Sequence, residues 1–110
     1  MKTNDYPRTL GKIGKLKDIR GKYHAFEIIG EISCWQRNAL DEKRIYLQRI
    51  KHDDGRIEYR FTYYMLGFKH GKTKGKWVFG QYSIMIPQRE LSYLLKNAKI
   101  EGWPGFQISK

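Results

Sequence analysis

Residues 67–73 read Gly-Phe-Lys-His-Gly-Lys-Thr. A P-loop, G-x-x-x-x-G-K-[ST], cradles phosphates on backbone N–H groups at a helix N-terminus and holds magnesium through its Ser or Thr. Here the interval from Gly67 to Gly71 is one residue short, and Thr73 runs into KGKWVFGQYS, a strand pattern where a P-loop needs a helix. The stretch therefore reads as a hairpin loop. Its lysines, Lys69, Lys72, Lys74 and Lys76, have no acid among them and would act as point charges on phosphates.

Other residue types with chemical potential are sparse. His24, His52 and His70 lack the i, i+4 or H-E-x-x-H spacing of a metal site. His52, Asp53 and Glu58 have the composition of an acid–base cluster, which a small nuclease or toxin-like RNase would use. Aspartates at 53 and 54 are also what a tight turn before Gly55 requires. Cys34 is the single cysteine, so one chain forms no internal disulfide and no Cys-based zinc site; it reads as a small core residue. No motif implies a cofactor.

Charge says more. The 110 residues carry 22 Lys and Arg against 11 Asp and Glu, a net +11. Residues 1–22 hold seven cations, including Lys12, Lys15, Lys17, Arg20 and Lys22, against Asp5 and Asp18. Together with loop 67–76 they hold most of the excess. A field this uneven attracts a polyanion. No apolar run reaches the roughly 20 residues of a membrane span, and the N-terminal stretch lacks the apolar core of a secretory leader. A soluble, cytoplasmic chain is the expectation.

These residues need elements to hold them. Residues 1–22, with Leu10, Ile13 and Leu16 interrupted by Gly11, Gly14 and Gly21, read as a basic flexible arm, mobile or ordered by a partner. Residues 23–110 read as one α+β domain. Strand 23–36 alternates, with Phe26, Ile28, Ile32 and Cys34 on one side, Glu27, Glu31 and Ser33 on the other, and a bulge at Gly30. Strands 43–52 and 56–66 flank a turn at Asp54-Gly55. A two-residue turn pairs residues whose numbers sum to 109, which sets Ile50 against Tyr59, Gln48 against Phe61 and Tyr46 against Tyr63 as one apolar face, with Ile57 and Met65. On the opposite face Arg49 then meets Arg60, beside Ile45 and Tyr64, a platform for phosphate and base. Strand 77–86 follows the lysine loop, so Trp77 is placed to stack on a base. Pro87 opens a helix over 87–101, with Leu91, Leu94, Leu95 and Ala98 on its inner stripe, Gly102 ending it and Trp103 folding back.

A four-stranded antiparallel sheet followed by one C-terminal helix, preceded by a lysine-rich arm, resembles the PC4-like transcriptional coactivators in element order. The resemblance covers the strand runs 23–36, 43–52, 56–66 and 77–86 and the helix from Pro87. It implies a homodimer whose curved sheets bind single-stranded DNA through basic and aromatic side chains. The residues expected to contact nucleic acid are Lys12, Lys15, Lys17, Arg20, Lys22, Arg49, Arg60, Tyr64, Lys69, Lys72, Lys74, Lys76 and Trp77. The expected function is non-enzymatic binding of single-stranded DNA or RNA. An interaction module for an acidic protein is a further alternative.

Overall fold

The computed structural model describes residues 6–36, 42–66, 77–80 and 84–107. Strands β1 (Ile13–Lys17), β2 (Tyr23–Trp35), β3 (Lys43–His52), β4 (Ile57–Leu66) and β5 (Trp77–Phe79) form one antiparallel sheet in chain order, and helix α1 (Gln88–Ile100) follows. The α+β class and the single C-terminal helix agree with the sequence reading. The sheet has five strands where four were expected, because the basic segment contributes β1, paired with β2 from Ile13↔Glu27 to Lys17↔Tyr23. From Tyr6 onward this segment is part of the fold and not a free arm: Thr9 is fully buried.

The β3–β4 register departs from the expectation and corrects the site. Lys51 pairs with Ile57, Ile50 with Glu58, Arg49 with Tyr59 and Gln48 with Arg60, so paired numbers sum to 108. The turn is a three-residue one. His52 N donates to Arg56 O at 2.9 Å and Gly55 N to His52 O at 2.9 Å, while Gly55 takes φ 90°, the left-handed position such a loop needs. Collecting apolar residues on one face is the criterion that favours the two-residue register. That criterion discriminates only when the other face is wet. Here Ile45, Tyr46 and Leu47 are all fully buried, so β3 is covered on both sides and its alternation carries no register information. Arg49 and Arg60 consequently lie on opposite faces of the sheet.

The bulge at Gly30 is present, as a register shift between Ile28 and Gly30. It adds one residue and inverts the alternation of β2. Phe26 and Ile28 therefore join Ile50 in one cluster, while Ile32 joins Ile45, Leu47, Leu94, Ala98 and Trp103 in another. The single face expected for Phe26, Ile28, Ile32 and Cys34 is split in two. A Cβ on Gly30 would stand 2.8 Å from Trp103 Cζ2 and 3.0 Å from Arg49 Cβ, so the missing side chain is what admits the indole.

Helix α1 covers the face carrying Ile32, Ile45 and Leu47. Pro87 occupies its N-cap with ψ 150° and Gln88 starts the helix, one residue later than expected. Leu94 and Ala98 are fully buried and Leu95 is exposed. The helix ends with Gly102 N donating to Lys99 O and Trp103 N to Ala98 O, both at 3.0 Å. These are the paired bonds of a Schellman ending, and they turn Trp103 back onto the core, as the sequence implied. Tyr59 stacks on Trp103 at 5.9 Å and its hydroxyl donates to Pro104 O.

Candidate nucleic-acid interface

The face that α1 leaves open is built by alternate residues of each strand: Arg44, Tyr46, Gln48 and Ile50 on β3 lie against Tyr64, Thr62, Arg60 and Glu58 on β4. The sheet curls toward this side. In a flat sheet β2 and β5 would stand about 14 Å apart. Here the Arg60 guanidinium on β4 lies 5.3 Å from the ring centroid of Phe26 on β2 and 5.5 Å from that of Phe79 on β5. This concave face holds a run of rings: Tyr64 packs edge-on against Tyr46 at 5.3 Å and Phe79 at 5.4 Å, and Trp35 lies 5.8 Å from Trp77.

The N-terminal segment crosses one end of this face. Tyr46 Oη donates to Pro7 O at 2.7 Å. Thr9 N donates to Glu31 Oε1 at 2.6 Å, its hydroxyl donates to the same oxygen, and Gln48 Nε2 donates to Thr9 Oγ1 at 3.1 Å. The Tyr6 ring contacts the guanidinium of Arg44 at 3.7 Å and that of Arg8 at 3.6 Å. Arg44 itself is held by Ser33, donating from Nε to Oγ at 3.0 Å and from a terminal nitrogen to the carbonyl at 3.2 Å. A cleft of about 330 Å3 lies between Trp35 and Arg44 on the sheet and Arg89, Glu90 and Tyr93 on α1.

Arg60 is held in the middle of this face. Its Nε donates to Gln48 Oε1 at 2.9 Å, and Gln48 is fully buried. No carboxylate among the described residues pairs with it. Burial pushes its pKa down, since desolvation disfavours the charged form. Burial likewise pushes the neighbouring Tyr64 hydroxyl up. The guanidinium is thus aimed by an amide and flanked by two rings, and its terminal nitrogens have no hydrogen-bond partner among the described residues.

Of the residues expected to bind, Arg60, Tyr64 and Trp77 converge on the concave face. Arg49 does not join them. It sits on the helix side opposite Tyr59, beside Trp103. Lys15 and Lys17 also lie on the helix side, paired with Ala25 and Tyr23, and Lys12, Arg20 and Lys22 are exposed along the β1–β2 ribbon. Lys69, Lys72, Lys74 and Lys76 lie outside the described residues. The sequence reading missed Phe26, Trp35, Arg44, Gln48 and Phe79. The three-residue turn was the signal that would have found Arg44 and Gln48, because it alone puts them beside Tyr64 and Arg60.

The acid–base candidates have structural partners. His52 is buried, with Nε2 2.6 Å from Glu58 Oε1, and Asp53 accepts from Ala25 N at 3.1 Å. Among the described residues no group of three His, Cys, Asp or Glu is arranged to hold a metal ion, and no helix is long and apolar enough to cross a membrane. No protein-family model, no curated protein and no solved structure matches this chain.

Proposed function

We propose that the protein binds single-stranded nucleic acid, DNA or RNA, along the concave face of its sheet, without acting chemically on it. The observation that carries this reading is Arg60: a half-buried guanidinium with no acidic partner among the described residues, oriented by Gln48 and bracketed by Phe26 and Phe79. Such an arginine suits a phosphate, and the half-buried Tyr64 and Trp77 with the more exposed Phe79 suit bases that are splayed out of a stack, as in single strands. Leu66 and Trp77 are cross-strand partners at this face, and the four lysines of 67–76 lie between them in the chain. A PC4-like homodimer belongs to the same proposal.

Fluorescence anisotropy of labelled single-stranded DNA, RNA and duplex DNA across a salt titration tests the reading. The expected result is single-strand preference with log Kd rising steeply with log salt. Affinity that is undetectable at low ionic strength, or insensitive to salt, overturns it. Running the bound strand on a gel with and without magnesium separates binding from cleavage, and sedimentation at micromolar concentration tests the dimer.

A further inference from the structure

We infer that the free edge of β1 takes up an acidic, extended peptide as an additional strand. Among the described residues, β1 has β2 on one side and no strand on the other. Ile28 N donates to Lys12 O and Asp18 N donates to Lys22 O, each at 2.9 Å, so Gly14 and Leu16 between them turn their backbone polar groups toward β2. Antiparallel alternation then turns the N–H and C=O of Ile13, Lys15 and Lys17 outward. The side chains of these three share the helix-side face, opposite Glu27, Ala25 and Tyr23. Ile13 is 72% exposed and Tyr23 62%. An incoming strand meets, at every second residue, one apolar position and then two ammonium groups.

Charge selects the occupant. Residues 12–27 carry five Lys and Arg and two carboxylates. Asp18 is occupied by His24 Nε2 at 2.9 Å and by the N–H groups of Arg20 and Lys22; Glu27 stands between Ile13 and Lys51. None of Lys12, Lys15, Lys17, Arg20 or Lys22 forms an ion pair with a described residue. A second copy is a poor partner, because antiparallel pairing of two β1 edges sets lysine against lysine or against Ile13, and like charges across a ladder are unfavourable. Nucleic acid offers no repeating N–H and C=O pattern to match the edge. A peptide strand with carboxylates opposite Lys15 and Lys17 and an apolar residue opposite Ile13 satisfies backbone and side chains together.

The test is residue-resolved amide exchange on the full chain, with a short capped peptide alternating valine and glutamate as probe. The amides of Ile13, Lys15 and Lys17 should slow by about tenfold or more, while Gly14 and Leu16, already turned toward β2, stay unchanged. The double variant Lys15→Glu/Lys17→Glu should lose this protection and gain it from a valine–lysine peptide. No protection at the three outward amides overturns the inference. So does equal protection by a single-stranded oligonucleotide, or protection that appears with rising protein concentration alone. The edge lies outside the concave face, so either proposal stands or falls without the other.

Discussion

Replacing Arg60 by alanine separates the folding role of the concave face from its binding role. Two folding contributions follow from the geometry. Gln48 is fully buried, and its Oε1 accepts from Arg60 Nε at 2.9 Å; losing that donor costs about 1–3 kcal/mol. The guanidinium also lies 5.3 and 5.5 Å from the Phe26 and Phe79 centroids, worth about 0.5–1 kcal/mol for each ring. The same substitution relieves the desolvation that lowers the Arg60 pKa, which offsets part of the loss. The expected net is a destabilisation of about 2 kcal/mol, measured by urea unfolding. In binding, Arg60→Ala should weaken single-strand affinity about tenfold and flatten the plot of log Kd against log salt by about 0.7, one phosphate contact. Arg60→Lys keeps the charge but has no Nε donor for Gln48. It should lose stability while retaining the salt slope. A folded Arg60→Ala protein with unchanged affinity and slope refutes Arg60 as a phosphate ligand; unchanged stability refutes the account of its setting.

Gly30→Ala drives a Cβ against Trp103 Cζ2 and Arg49 Cβ and should cost about 1–3 kcal/mol; thermal unfolding reads it, and in a Trp103→Leu background, itself less stable, the same change should cost less. An unchanged Tm for Gly30→Ala alone contradicts the close approach of the indole. The hydrogen bond from His24, then that from Lys22 N, holds the Asp18 carboxyl below its ordinary value. A depressed folded pKa stabilises above the unfolded value of about 3.9 and stops doing so as pH falls through the folded one. Asp18→Asn should therefore be less stable than the parent at neutral pH, with the gap closing only in that acid range; a gap that persists at the lowest pH contradicts the linkage. Burial pushes the Cys34 thiol up to about 11, so its reaction with a disulfide reagent near pH 8 should be roughly a hundredfold slower than that of a free thiol of pKa about 8.5. Addition of urea should restore the fast rate, and a fast rate in the native protein would show the sulfur to be open.

Local chemistry was legible wherever a short-range rule suffices. Pro87, the apolar positions Leu94 and Ala98, Gly102 and Trp103 determine α1 and its ending within a few residues of one another, and Asp54-Gly55 determines that β3 and β4 form a hairpin. The excess of lysine and arginine is a property of composition that folding cannot alter. The tertiary structure decided which side each residue faces. Alternation reports a face only if one side of a strand stays wet, and β3 is buried on both: by α1 and Trp103 on one side, and by the curl of the sheet and the Tyr6–Thr9 segment on the other. A three-residue turn and one extra residue at Gly30 then shifted the phases of β4 and β2, moving Arg49 away from Arg60 and bringing Phe26 and Phe79 to it. Neither the curl nor the packing of Thr9 against Gln48 leaves a mark in local sequence, because both are contacts between segments far apart in the chain.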